Sequence, residues 1–480
     1  MINLILLFPI LACFILFIFK KNYLNNLMIN LYALIHIFVS FAACNKIDFL
    51  PSWKTISFFE INERNLIFLI VMSIVFVAFA IYNNGYIKNE TVSSYKIRHY
   101  TYMVLAFVLA MTGAILSTNL GVSWVFIEGT TLASAYLIYF HKTKHSIEAA
   151  WKYVFICSIG IALAFVGIVL LTFATGNLNT LNFFDLYENA TNFNQFWLKL
   201  AYVFILFGIG TKMGLAPVHF WLPDAHAQSP SPISALLSAT LLNSAFLLII
   251  NVFNLMVSAN CDSFGRIMML AMGILSLFIT AVFVYHINNY KRMLAYSSIE
   301  NMGILIIGVA LGGPALIASM IHLIGHSLIK ASFFLTSGNI LTIYGTKKIK
   351  SITGLLNIDS KTGWLWILSL IGIIALPPSV LFISEFLIIK TLFLQHKFIL
   401  CAIFLLLLTI ILYGLSKAVI KMTFSEVNEE KENSLKQSVE KLNWTMYFPQ
   451  YLLIIIAFIL GIYMPDTVIE LINNAVIGLG

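Results

Sequence analysis

The stretch GTKMGLAPVHFWLPDAHAQSPSP, residues 210–232, places a lysine and four prolines directly after the uncharged run AYVFILFGI (201–209). Lys212 therefore lies deep within an apolar segment, five residues before Pro217. A charge at bilayer depth costs free energy unless it faces protein or water. Proline breaks a helix, and a membrane tolerates such a break only where it is buried in protein or lines a cavity. The stretch predicts a discontinuous membrane helix with a titratable group beside its break.

The composition of the whole chain favours an integral membrane protein. Of 480 residues, 60% are hydrophobic and only 10% are charged, and the mean hydropathy is +0.93. Apolar runs of about 20 residues, long enough to cross a bilayer, recur from end to end. We expect an all-α polytopic protein in the lipid bilayer, with no separate soluble domain. Residues 2–19 lack a basic start and a cleavage site, so they are expected to form the first span.

The apolar runs predict about 14 transmembrane helices. They cover residues 2–19, 27–44, 65–83, 101–117, 121–140, 153–174, 198–222, 231–256, 266–286, 293–311, 315–344, 363–393, 398–416 and 447–472. With the N-terminus outside, 19 Lys and Arg residues fall in inner loops and six in outer loops. This asymmetry predicts a multi-pass protein of the cell inner (cytoplasmic) membrane with both termini outside. The net charge of +8 is spread over loops, so no nucleic-acid partner is expected.

The sequence contains no recognisable motif for binding a metal or a redox cofactor. Its five cysteines are scattered without metal-ligand spacing, and nucleotide-binding, haem and iron–sulfur motifs are absent from the sequence. We predict that this chain binds no metal or cofactor and performs no redox chemistry itself.

Other titratable residues also fall inside predicted spans. Glu128 lies about seven residues into the fifth span. His322, His326 and Lys330 follow one another at intervals of four residues, which puts them on one face of a helix. Structural interpretations stay open: Glu128 and Lys212 could form a structural ion pair, and the histidines could be paired core residues. The histidine pair has no acidic or cysteine partner on its face, so a metal site is not predicted.

The second half of the chain repeats these features. Pro377 and Pro378 interrupt the twelfth span ahead of Glu385. Glu128 precedes Lys212 by 84 residues, and Glu300 precedes Glu385 by 85. We therefore predict two inverted five-helix repeats with discontinuous helices. The organisation predicted is N-terminal helices 1–3 (1–100), a first repeat of helices 4–8 (101–256), a second repeat of helices 9–13 (266–416), a cytoplasmic loop (417–446) and a last helix (447–480).

Three segments resemble the proton-translocating antiporter-like membrane subunits of complex I, group 4 hydrogenases and multisubunit cation antiporters. They are KMGLAPVHFWLPDAHAQSPSPISALL (212–237), YKRMLAYSSIENMG (290–303) and HLIGHSLIKASFFLTSG (322–338). The chain length, ALLSATLLNSAF (235–246) and SEF (384–386) most resemble hydrogenase-4 component F.

The resemblance implies a proton pathway. It consists of Glu128, Lys212, Lys291, His322, His326, Lys330 and Glu385, with Pro217, Pro377 and Pro378 at the helix breaks. Further candidates are Glu300, Asn243, His219 and His226. Both His219 and His226 are expected at the cytoplasmic mouth, and Glu300 near the start of its span, buried or at the membrane surface. Asn243 replaces a lysine or histidine of several relatives and cannot carry a proton, so water would have to bridge the halves there.

The implied function is proton conduction coupled to electron transfer in a hydrogenase-4 or formate hydrogenlyase-type complex. Its partners would be other membrane antiporter-like subunits and a peripheral redox module carrying a nickel–iron site and iron–sulfur clusters. Alternatives are a subunit of complex I, a subunit of a multisubunit Na⁺/H⁺ antiporter, and a membrane anchor that conducts nothing.

Overall fold

A computed structural model describes residues 2–45, 58–90, 92–176, 178–427 and 429–479. Two outer-loop cations used in the predicted topology, Lys46 and Lys54, lie outside the described residues.

Within these ranges the chain forms 21 α-helices and no β-strand. The first eleven are α1 (Ile2–Phe19), α2 (Asn22–Cys44), α3 (Glu63–Asn89), α4 (Ser94–Leu116), α5 (Leu120–Ile138), α6 (Lys144–Thr175), α7 (Phe183–Asn189), α8 (Gln195–Met213), α9 (Leu222–Gln228), α10 (Ser231–Leu236) and α11 (Leu242–Ser258). The remaining ten are α12 (Asp262–Val284), α13 (Tyr290–Leu311), α14 (Pro314–Tyr344), α15 (Leu355–Ile358), α16 (Ser360–Ile373), α17 (Val380–Leu394), α18 (Phe398–Phe424), α19 (Glu429–Val439), α20 (Phe448–Ile462) and α21 (Asp466–Ala475).

Thirteen helical segments of the described chain are long and apolar enough to cross a membrane. The predicted twelfth span is missing from that number because it is divided into α16 and α17, each too short to cross alone. Counting this pair, the all-helical polytopic class with about 14 crossings is confirmed.

Burial sorts the helices into a centre and a rim. The segment from α10 to α11, together with α13 and α14, is almost wholly buried. By contrast, α1, α6, α18 and α20 leave most of their apolar surface exposed, as expected of helices that face lipid. Charged side chains can be held at membrane depth in the centre, where protein rather than lipid surrounds them.

Both predicted helix breaks are present. In the first, α8 ends at Met213, Gly214 has a φ of 79°, and α9 begins at Leu222. The freed backbone groups find partners there: the amide of Ala216 donates to Ser276 Oγ (2.9 Å), and Trp221 Nε1 donates to the Thr211 carbonyl (2.7 Å). In this way the protein interior tolerates non-helical backbone.

The second break separates α16 from α17. The Ser379 hydroxyl donates to the Gly372 carbonyl across it, at 2.9 Å. In the predicted repeats, α8 and α16–α17 both occupy the fourth position of five.

The predicted eleventh span forms one continuous helix, α14, which ends at Tyr344. The predicted eighth span contains an unexpected π-helical turn, Leu237–Leu241, between α10 and α11. Such turns are rare and are often found at functional sites.

The two ends of the described chain lie on the same side of the molecule. Ile2 and Asn474 line one cavity of about 800 Å³, together with Arg64, Asp185 and Asn251 from predicted outer segments. A shared side requires an even number of crossings, as predicted.

Candidate functional site

Lys212 lies in the last turn of α8, immediately before the first break, and is fully buried. Its Nζ donates to the hydroxyl of Tyr153 on α6 at 2.8 Å, and that hydroxyl is 2.6 Å from Ser134 Oγ on α5. The negative end of the α8 dipole also favours a cation at this position. The lysine is thus held by neutral oxygens and a helix end.

Glu128 on α5 lies close to this group without binding the lysine. Thr131 Oγ1 donates to Glu128 Oε2 at 3.2 Å. Among the described residues, Glu128 and Lys212 make no salt bridge, although the carboxylate is near enough to act electrostatically on both Lys212 and Tyr153. The alternative of a direct structural ion pair is therefore not what the structure contains.

Lys330 occupies a similar setting in the second half. It is fully buried in α14. Its Nζ donates to the Leu294 carbonyl at 2.7 Å and to the hydroxyl of Ser297, both on α13. Glu300, one turn beyond Ser297 on α13, acts electrostatically on Lys330 without a direct bond. A lysine with an indirect carboxylate neighbour thus occurs in each half.

His322, two turns before Lys330 on α14, joins three helices. Its Nε2 lies 3.0 Å from Asn301 Oδ1 on α13, and its Nδ1 lies 2.9 Å from Ser384 Oγ on α17. Ser384 directly precedes Glu385, so this histidine connects the centre of the molecule to the segment after the second break.

His326 faces the π-helical turn. Its Nε2 lies 3.4 Å from the Ser238 carbonyl, and its Nδ1 is buried without a partner. The Ser238 hydroxyl is 2.8 Å from that of Ser298 on α13. Asn243 Nδ2 donates to Ser327 Oγ at 2.7 Å, whereas its Oδ1 is unpartnered. Asn243 therefore joins α11 to α14 without contacting either histidine directly in these hydrogen bonds.

The two glutamates of the second half differ in exposure. Glu300 is only 5% exposed and its Oε2 has no partner, so it lies in the interior rather than at the membrane surface. Glu385 is half-buried on α17, and the charge of Glu300 acts on it electrostatically. It stands at the lateral limit of the buried polar groups.

His226, expected at the cytoplasmic mouth, is a fully buried residue of α9. Its ring packs against Trp221 and Phe334, with centroids 6.2 and 5.3 Å away. Its Nδ1 is 2.9 Å from the Leu222 carbonyl, and Nε2 has no partner. His219 is also buried, with Nδ1 unpartnered.

Lys291 has a different environment from the other buried lysines. Its Nζ donates to the Ser229 carbonyl at 2.7 Å, just beyond the C-terminus of α9. Lys347, in the loop after α14, donates to the Ala227 carbonyl at the same distance, and burial lowers the pKa of its ammonium group. The two lysines donate to backbone carbonyls at the C-terminal end of α9, a position that commonly favours cations.

A charged cluster at the predicted inner face centres on Asp224 of α9. Its carboxylate accepts from Lys152 on α6 at 3.3 Å and from Arg292 on α13. Glu148 also pairs with Lys152, at 2.6 Å. These side chains line a cavity of about 270 Å³ together with His145. We call Asp224, Lys152, Arg292 and Glu148 the inner ion cluster.

The structure thus places most of the predicted residues in two groups, one around Lys212 beside the first break and one around His322 and Lys330, between α11 and α17. Sequence reasoning missed Tyr153, Ser297, Asn301 and Ser384, which hold the charged groups. Nothing in the sequence marks them, because hydroxyl and amide side chains are common in membrane helices. Among the described residues, no three His, Cys, Asp or Glu side chains converge as metal ligands.

Residues 117–411, more than half of the chain, match the family model described as NADH:quinone oxidoreductase/Mrp antiporter, TM. The chain belongs to this family of antiporter-like membrane proteins.

Relatives in this antiporter-like family align with most of the length of this chain. The hydrogenase-4 component F homolog of Methylacidiphilum infernorum is 33% identical over 426 residues, covering 86% of this chain and 87% of the relative. A Na⁺/H⁺ antiporter subunit of Alkalihalophilus pseudofirmus is 30% identical over 348 residues, covering 72% of this chain and 70% of the relative.

Solved structures give the same fold. A chain of the archaeal membrane-bound sulfane sulfur reductase aligns with a TM-score of 0.87 at 22% identity, over 100% of this chain and 97% of that one. A chain of the Mrp complex from Dietzia sp. gives 0.86 at 18% identity, with the same coverage. The resemblance implied by the sequence motifs is confirmed at the level of the family.

Proposed function

We propose that this chain is the proton-conducting membrane subunit of a hydrogenase-4 or formate hydrogenlyase-type complex. Conduction is supported chiefly by one observation, the titratable and hydroxyl side chains that are hydrogen-bonded in the interior near each helix break. At the first break Lys212 contacts Tyr153, and near the second His322 contacts Ser384. Such groups are expensive at membrane depth and typically mark ion pathways.

In this function Lys212 stores a proton and Glu128 modulates its affinity through space. Lys330, His326 and His322 carry the proton through the second half, with Lys291 near the inner face. Glu385 passes it toward the outside. A lysine held by neutral oxygens can lose its proton more readily than one in a direct ion pair. This suits a group that must alternate between two charge states.

The hydrogenase-4 assignment is supported by the relative from Methylacidiphilum infernorum, whose match covers most of both chains. We propose partner subunits that carry the nickel–iron site and iron–sulfur clusters, placed beside further antiporter-like membrane subunits. We place the complex in the cytoplasmic membrane with both termini of this chain outside.

A Na⁺/H⁺ antiporter subunit is the second candidate, favoured by the 30% identity to the antiporter subunit of Alkalihalophilus pseudofirmus. The two candidates differ in what accompanies the chain. Nickel, iron and a hydrogenase-like large subunit in the complex purified from native membranes support our proposal. A complex of small membrane subunits without redox metals, with sodium-dependent activity, supports the antiporter instead.

Conduction itself is tested with Lys212→Ala in membrane vesicles, using a fluorescent pH indicator during redox turnover. We expect an assembled complex with normal electron transfer from formate or hydrogen under uncoupled conditions, but no proton translocation. Lys390→Ala is a matched control because Lys390 is exposed on α17. Normal translocation by Lys212→Ala would contradict the pathway and favour a membrane anchor.

A further inference from the structure

The hydrogen bonds around His322 determine which ring nitrogen exchanges protons. Asn301 Nδ2 lies 2.6 Å from the Ser297 carbonyl oxygen, which can only accept. The amide nitrogen must therefore point to Ser297, and the amide oxygen must point to His322. Because that oxygen also only accepts, His322 Nε2 at 3.0 Å must carry a hydrogen in every charge state.

An amide oxygen does not take up a proton under physiological conditions, so Asn301 cannot receive one from Nε2. His322 therefore cannot take up a proton at one ring nitrogen and release one at the other. The remaining nitrogen, Nδ1, lies 2.9 Å from Ser384 Oγ.

The Ser384 hydroxyl is placed to serve both charge states of the ring. It is also 2.8 Å from the Leu381 carbonyl on the same helix. When His322 is neutral, the hydroxyl can donate to Nδ1. When Nδ1 carries a proton, the ring donates to Ser384 Oγ and the hydroxyl hydrogen turns to Leu381. A hydroxyl can exchange these roles because it is both donor and acceptor.

We propose that His322 both accepts and releases its proton at Nδ1, and that Ser384 is the positioning residue for that exchange. On uptake the Ser384 hydroxyl passes its hydrogen to the Nδ1 lone pair and receives another from a water molecule on the α17 side. On release the same steps run in reverse, so the ring and the hydroxyl are unchanged over a cycle. His322 then holds a proton and exchanges it on the side that faces α17. It does not pass the proton along α14 from one residue to the next. This inference deepens the proposed function and rests on it.

The charged and titratable groups around His322 agree with exchange toward α17. Lys330 and His326 lie on α14 itself, Glu300 lies on α13, and Glu385 lies on α17 beside Ser384. The positive group is thus on the inner portion of α14, whereas both carboxyl groups belong to neighbouring helices. A proton leaving Nδ1 emerges on the helix that carries Glu385.

The first test compares Ser384→Ala with Ser384→Thr in membrane vesicles of the assembled complex. We expect Ser384→Ala to lower proton translocation per electron transferred by about tenfold or more, since a charge-state-dependent hydrogen bond is lost. Ser384→Thr keeps a hydroxyl and should restore most of the translocation. Ser369→Ala, a buried serine on α16 bonded to Ser332 at 3.4 Å, is the control and should have little effect.

The second test is independent of transport. Nitrogen-15 solid-state NMR on the histidine-labelled complex, with His322→Gln to identify the signal, reports which nitrogen lacks hydrogen in the neutral ring. We expect Nδ1. An unprotonated Nε2 would overturn the inference, as would full translocation by Ser384→Ala. If Ser384→Ala is harmless while Lys212→Ala abolishes translocation, this inference fails and the proposed function stands. If Lys212→Ala is also harmless, the proposed function fails.

Discussion

At the scale of single residues, two buried lysines of the proposed pathway are held by neutral partners. Lys212 binds a tyrosine hydroxyl, and Lys330 binds a carbonyl and a serine hydroxyl. A neutral partner compensates the desolvation of a cation less than a carboxylate does, so the protonated state is not locked in place. The lysines are therefore able to change charge during a transport cycle.

Replacing Tyr153 with phenylalanine tests the role of this neutral partner. The change removes the oxygen that accepts from Lys212 Nζ but keeps the aromatic ring. We expect translocation to fall by about tenfold, because a hydrogen bond from a charged group contributes about 1.5–3 kcal/mol. The fall is measured as the rate of proton translocation by the reconstituted complex.

Tyr202→Phe provides the matched control on α8, the helix that carries Lys212. The Tyr202 hydroxyl is buried and unpartnered, so its removal should leave translocation unchanged and stability unchanged or improved. Equal loss of translocation in both variants would show that any lost tyrosine hydroxyl harms the bundle, and would contradict a specific role for Tyr153.

At the scale of elements, α9 is the piece that ties the two halves together at the inner face. Its Asp224 bonds to α6 and α13, and its C-terminal carbonyls bond to Lys291 and Lys347. This short helix exists because the first break separates it from α8. Besides placing Lys212 at a helix end, the break therefore has a second consequence: it creates a link between the predicted repeats.

Asp224→Asn should loosen this link. The neutral side chain leaves Lys152 and Arg292 as like charges near one cavity, so their repulsion favours opening of the inner ion cluster. We expect increased passive proton leak through the reconstituted protein, measured as decay of an imposed pH gradient. Adding Lys212→Ala to the same protein should suppress the leak.

Glu148→Gln is the control for Asp224→Asn. Glu148 pairs with Lys152 within α6 and is largely exposed, so it does not join the halves. Screened surface pairs contribute little, and no leak is expected. A leak of equal size in Glu148→Gln would assign the effect to surface charge and contradict the linking role of α9.

The elements also show what the sequence can and cannot predict. Hydropathy located the spans because crossing about 30 Å of hydrocarbon requires long apolar runs. The prolines located both breaks because proline removes a backbone donor. The π-helical turn at Leu237–Leu241 had no such signal, since all of its residues are compatible with an α-helix. It depends on packing against α14 and α13.

At the candidate site, the charged residues could be predicted from the sequence, whereas the hydroxyl side chains that bind them could not. Lys212 and Glu300 stand out because charge is costly in a membrane. Tyr153 and Ser384 do not, because hydroxyl side chains satisfy themselves within many membrane helices. The burial of His226 had no such signal either, since it depends on how α9 packs against α14.

At the scale of the whole molecule, the segment after α20, residues 463–479, forms hydrogen bonds that stabilise the predicted outer face. Arg64, in the first turn of α3, donates to the carbonyls of Ala475 (3.2 Å) and Ile477 (2.8 Å) and to Asn251 Oδ1 (3.2 Å). A second arginine, Arg266 on α12, donates to the Leu479 carbonyl at 3.3 Å. The segment after α20 thereby connects the N-terminal helices with both predicted repeats.

Arg64→Ala should weaken the molecule as a whole, because three acceptors lose one shared donor. These hydrogen bonds are part-buried or exposed, and a typical one contributes about 0.5–1.5 kcal/mol. We therefore expect a fall in the unfolding midpoint, measured by fluorescence-detected size-exclusion chromatography after heating. Arg64→Lys keeps the charge but cannot reach three acceptors with a fixed fork, so its midpoint should fall between those of Arg64→Ala and the unaltered protein. Lys397→Ala, exposed before α18, should match the unaltered protein. An unchanged midpoint for Arg64→Ala would mean that the C-terminal segment is held by its apolar contacts alone.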